Sequence, residues 1–168
     1  MSARRESYAQ ARSSSVMRFA SNQNQQISAL EAQLGRAQAI VPALMADMLA
    51  LAEVWRPAPG SRDQADRIRH LIGAEAWTDA ALALLELGLP QWKLRCITYE
   101  DSEWFCSLGK RWPVPAWLDD VVTVTHPMLP LAILTAFVEA CAVTTCSSET
   151  VPSVQPSAHE AVCCDNFF

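Results

Sequence analysis

Apolar residues recur at alternating steps of three and four from Ile27 through Leu30, Leu34, Ala37, Val41, Leu44, Met48 and Leu51 to Trp55. Ile27, Leu34, Val41, Met48 and Trp55 fall on the a positions of a heptad, and Leu30, Ala37, Leu44 and Leu51 on the d positions. A seam of this kind lets one helix lie along another. It predicts a long amphipathic, coiled-coil helix over about 24–55. The seam changes character midway. Its flanks are polar at Gln26, Glu31, Gln33 and Gln38, then apolar at Ile40, Met45, Leu49 and Val54. The narrow first half suits a coiled coil and the broad second half suits a globular core. Pro42 falls at the change. Inside a helix proline removes a hydrogen bond and clashes with the preceding turn, and it pushes the residue before it, Val41, out of helical geometry. Three arrangements fit. One helix is kinked at Pro42, or two helices meet with Pro42 in the first turn of the second, or the segment from Ile27 to Ala37 folds back onto the core.

Pro57, Pro59 and Gly60 then interrupt the chain. Ser61, with Gln64 three residues on, has the pattern of a capping box. Ala65, Ile68, Leu71 and Ile72 give the following helix an apolar face up to Gly73. A second helix is expected over about 75–87, carrying Trp77, Ala81, Leu84 and Leu85, and stopped by Gly88 and Pro90. The period then drops to two. Trp92, Leu94, Cys96 and Thr98 alternate with Lys93, Arg95, Ile97 and Tyr99, and Trp104, Cys106 and Leu108 resume the alternation after a polar turn. This predicts a β-hairpin. A three-residue loop over Glu100–Ser102 pairs Leu94 with Leu108, Cys96 with Cys106 and Thr98 with Trp104 on one face. A two-residue loop shifts every pairing to the other face, so the first register, which segregates apolar residues better, is preferred.

A loop over Gly109–Pro115, a helical turn over Ala116–Val121 and a helix over about Pro127–Val143 complete the pattern. The resulting fold is α+β and mainly helical: a small α-α-β-β-α domain over 57–143, with helices on one face of a two-stranded sheet. The long helix over 23–56 precedes it, and its second half completes the core. Residues 1–22 read as a basic disordered tail. Residues 144–168 read as an acidic Ser/Thr/Cys tail without periodicity.

Composition narrows the function classes. The net charge of −5 argues against a nucleic-acid binder, which carries a clustered basic face. The first 22 residues hold no apolar signal core. The most apolar stretch, Met128 to Val138, ends at Glu139 and is too short for a bilayer. The chain is therefore expected to be cytoplasmic and soluble, with no nucleic acid or membrane partner and with reduced cysteines. Arginine outnumbers lysine eleven to two, which suits a GC-rich, bacterial genome.

No constellation of residues assigns a reaction. Cys141, Cys146, His159, Cys163 and Cys164 are of zinc-ligand type, but their spacing is irregular. Cys96 and Cys106 read as small core residues, and nothing places His70 or His126 beside them as a base. Glu100, Asp101, Glu103, Asp119 and Asp120 read as solvated turn and helix positions. The five glycines form no phosphate loop. No catalytic residue, cofactor or metal is assigned, and no motif points to a particular family. The leading expectation is a non-catalytic interaction or adaptor protein that self-associates, or docks a protein partner, through residues 24–55. Its candidate interaction residues are Ile27, Leu30 and Leu34 on the seam, and Trp112 and Trp117 in the proline-rich segment from Arg111. The alternatives are a small enzyme with a pocket between the hairpin and the last helix, and a thiol- or metal-responsive protein using the C-terminal cysteines.

Overall fold

The computed structural model describes residues 22–55, 60–111 and 120–148. Helix α1 runs over residues 22–34 and stops at Gly35. The Gly35 N–H still donates to the Glu31 carbonyl at 2.9 Å, and the Arg36 Nε donates to the Ala32 carbonyl at 2.9 Å, so two carbonyls of the last turn keep partners. Residues 35–41 are non-helical. Helix α2 then begins at Pro42 and ends at Trp55. Proline is tolerated at a first helical position because its missing N–H has no intrahelical partner there. The single long helix is therefore replaced by two. The break is reinforced by packing, because Ile27, Leu30 and Leu34 are only 4%, 4% and 2% exposed within the single chain. The narrow seam faces the protein's own core.

Helices α3 (Ser61–Gly73) and α4 (Trp77–Gly88) follow as expected. The capping box does not form: Gly60, with φ of 93°, is the N-cap and no side chain caps the helix. Strands β1 (Trp92–Glu100), β2 (Glu103–Lys110) and β3 (Val121–His126) form one antiparallel sheet in the order β1-β2-β3. The sheet thus has three strands, not two, and Val121 opens a strand instead of ending a helical turn. The sequence signal for β3 is its Val/Thr run, which favours a pleated half-buried surface. Val122 and Val124 are buried, while Val121, Thr123 and Thr125 are exposed.

The hairpin turn is Asp101-Ser102, with φ of 51° and 68°, a two-residue turn of the left-handed kind that matches strand twist. Leu94 lies opposite Leu108 as predicted, but Ile97 lies opposite Cys106 and Tyr99 opposite Trp104. Cys96 and Thr98 therefore leave the inner face. The register shifts between Leu94 and Cys96, so Arg95 is the extra residue of a bulge. One inserted residue lets a two-residue turn coexist with the Leu94–Leu108 pairing. The Arg95 side chain lies over Gly109, in space that any larger residue there would fill.

Helix α5 (Leu129–Ser148) is the central element. It packs on β2 and β3 on one side and on α4 on the other, and Leu131, Ile133, Leu134, Phe137 and Cys141 are all fully buried. A helix apolar around most of its circumference is the one enclosed by others. It runs past Val143, where the sequence pattern ended it, because Thr144 is held there. The Trp92 indole N–H donates to Thr144 Oγ1 at 3.2 Å, and Thr144 Oγ1 donates to the Ala140 carbonyl at 2.7 Å. Helices α2 and α4 approach closely where Gly88 faces Ala52 and the Phe137 ring.

Candidate functional site

The two edges of the sheet differ in a way that matters for binding. An edge strand offers unpaired N–H and C=O groups, and proteins blunt such edges with charges, bulges or prolines. Edge strand β1 carries Lys93, Arg95 and Glu100 and the bulge at Arg95. Edge strand β3 reads Val-Val-Thr-Val-Thr-His, with no Lys, Arg, Asp, Glu or Pro. Its ladder to β2 is regular from Gly109–Val121 to Trp104–His126. Among the described residues no backbone hydrogen bond reaches its outer side.

A groove of about 320 Å³ opens at the C-terminal end of this edge. Thr125 and His126 of β3, Thr135 and Glu139 of α5, and Glu31, Leu34 and Gly35 of α1 line it. Each element is placed by local chemistry. The Met128 backbone N–H donates to His126 Nδ1 at 2.9 Å. This ties the strand end to the start of α5, as a cap by His126 would. Thr135 Oγ1 donates to the Leu131 carbonyl at 2.9 Å and keeps its lone pairs for an acceptor role. Leu34, buried at the end of α1, anchors the helix that brings Glu31 to the groove. Burial, and then the nearby charge of Glu31, push the Glu139 carboxyl above its ordinary value. The groove thus combines unspent backbone hydrogen-bonding groups with two carboxylates that repel each other.

Two other clefts are less differentiated. One of about 500 Å³ lies between α1 and the start of α2, lined by Ala29, Gln33, Arg36, Ala37, Ala39, Val41 and Leu44. Val41 there is 49% exposed. The other lies between α2 and α3, beside the Glu53–Arg69 ion pair at 2.7 Å.

The described cysteines differ in environment. Cys96 is exposed, while Cys106 and Cys141 are buried. Burial, with a smaller contribution from Cys96, pushes the Cys106 thiol up to about 11, and burial pushes Cys141 higher still. Both stay protonated at neutral pH, whereas nucleophiles and metal ligands are thiolates. Among the described residues no three His, Cys, Asp or Glu side chains are grouped to hold a metal ion. Nor is any helix among them long and apolar enough to cross a membrane.

Of the interaction residues expected from sequence, Ile27, Leu30 and Leu34 lie inside the fold, and Trp112 and Trp117 lie outside the described residues. His159, Cys163 and Cys164 also lie outside them. The groove residues Glu31, His126 and Glu139 form no sequence motif: the pattern ends a helical turn at Val121 and predicts no element over 122–126, where the strand carrying His126 lies. Compared with protein-family models, curated proteins and solved structures, the chain matches none.

Proposed function

We propose that this protein is a non-catalytic docking module that receives an extended segment of a partner protein along β3. In strand addition, main-chain hydrogen bonds supply affinity and neighbouring pockets supply specificity. The observation that carries this reading is the contrast between the two sheet edges. The edge bearing charges and a bulge is β1, and the regular uncharged edge is β3. Helix α1 walls the end of the β3 groove with Glu31, Leu34 and Gly35. Residues 24–55 therefore serve docking as a wall, while their apolar seam serves the core. Raised thiol pKa values at Cys106 and Cys141 count against a thiol enzyme built on those two residues.

The test is selection from a displayed random peptide library, followed by backbone amide exchange of the complex. Selected peptides are expected to slow exchange at Val121–His126 and to leave β1 unchanged. Peptides that protect only β1, or only the cleft between α1 and α2, would overturn the assignment of the docking edge.

A further inference from the structure

The end of the β3 groove has a definite chemical character. Glu31 and Glu139 reach it from different helices, and His126 and Thr135 stand beside them. No cation lines it. Glu53 and Asp66 share Arg69, and Asp120 pairs with Lys110, but no ion pair is made by Glu31 or Glu139 among the described residues. The charge left at the end of the groove is negative.

We infer that the segment docking on β3 carries a lysine or arginine at the position beside His126, held between Glu31 and Glu139, an inference that rests on strand addition at β3. Its aliphatic stem lies along the groove and its cationic head reaches the two carboxylates, the usual division of a long basic side chain. Electrostatic complementarity of this kind fixes register as well as partner choice. It matters here because β3 has no bulge or proline to set the register of an added strand. A cation between the carboxylates also offsets the Glu31 repulsion, which adds to burial in raising Glu139.

The same charges disfavour a second copy as the occupant. If β3 pairs with β3 of another molecule over all six residues, Val121 of the copy lies opposite His126. That register carries the copy's Asp120 with its partner Lys110, a pair without net charge, toward Glu31 and Glu139, and brings no basic residue from the facing end of its β3. Such a pairing supplies no free cation to the two carboxylates, whereas a basic partner segment does.

The experiment uses the full chain and two fluorescein-labelled peptides. Each has alternating valine and threonine followed by one residue, lysine in the first and glutamine in the second. Fluorescence anisotropy measures affinity, and amide exchange locates the complex. The lysine peptide is expected to bind about fivefold more tightly than the glutamine peptide, the ratio equivalent to about 1 kcal/mol. Glu139→Gln and Glu31→Gln should each reduce that ratio, and the double variant should abolish it while the glutamine peptide binds unchanged. Both side chains are exposed, so the variants should keep the wild-type circular dichroism. Equal binding of the two peptides at β3 would overturn the basic anchor and leave strand addition standing. Absence of protection at Val121–His126 with either peptide would overturn strand addition itself. Protection of β3 in the protein alone, with a concentration-dependent rise in mass, would assign the edge to a second copy and overturn the inference.

Discussion

Leu34 and Glu139 both contribute to the groove but differ in energetic role. Leu34 is 2% exposed, and its loss leaves a cavity as well as removing apolar contact. Leu34→Ala is expected to cost about 2–4 kcal/mol, read as a lower urea midpoint. Glu139 is a carboxyl whose folded form holds its proton more tightly than the unfolded chain does, through burial first and Glu31 second. Its contribution to stability is therefore fully present below the unfolded carboxyl pKa and is lost as pH rises through the raised value. Because the side chain is largely solvated, the effect is small. Glu139→Gln should raise the urea midpoint at pH 7 and leave it unchanged at pH 4. A fall at pH 7 would mean that the carboxylate has a favourable partner. Thiol chemistry is equally ordered. Iodoacetamide at pH 7.5, followed by peptide mass mapping, should label Cys96 in the folded protein and leave Cys106 and Cys141 unmodified until denaturant is added.

At the level of elements, the hairpin shows how backbone geometry overrides alternation. Asp101 and Ser102 both adopt positive φ, a region that favours glycine and, more weakly, Asn and Asp. Serine at 68° is the less suited of the two. Ser102→Gly is expected to stabilise by about 1 kcal/mol, since it relieves the left-handed strain of a non-glycine residue, and thermal unfolding measures it. At the crossing of α2, α4 and α5 the reverse applies. A Cβ at Gly88 would stand 2.8 Å from the Phe137 ring and 3.2 Å from Ala52. Gly88→Ala should therefore destabilise by about 1–3 kcal/mol through overpacking, although alanine has the better helix propensity. The Tyr99–Trp104 ring pair, with centroids 5.0 Å apart, belongs to the register set by the bulge and would be absent from the unbulged hairpin.

In the whole molecule, α5 is the shared partner of the sheet and the helical layer, and α1 adds Ile27, Leu30 and Leu34 to the same core. The seam therefore predicts a stability phenotype instead of an assembly phenotype. Leu30→Asp places an unpaired charge at a site 4% exposed, where burial of a charge without a partner is costly. It is expected to unfold the chain, with loss of helical circular dichroism. Its folded fraction should keep the wild-type mass by light scattering. A well-folded Leu30→Asp protein of half the wild-type mass would show the seam at an intermolecular interface.

Sequence alone determined α3, α4 and most of α5, because a 3.6-residue apolar period bounded by glycine and proline has one stable solution at that length. It also determined the hairpin and the Leu94–Leu108 pairing, from a period of two. It left open whether residues 24–55 were one helix or two, because a heptad drifts only about 20° per repeat from a core-facing stripe. Tertiary packing decided that. With Pro42 starting α2, Ile27, Leu30 and Leu34 are buried against their own chain. The sequence pattern predicts no third strand, because six residues with two inward valines carry too little periodicity to specify an element without a partner strand. Val122 and Val124 become strand residues by pairing with Leu108 and Cys106. The candidate groove was wholly a tertiary result. Glu31, His126 and Glu139 lie far apart along the chain, and only the docking of α1 beside β3 and α5 brings them to one place.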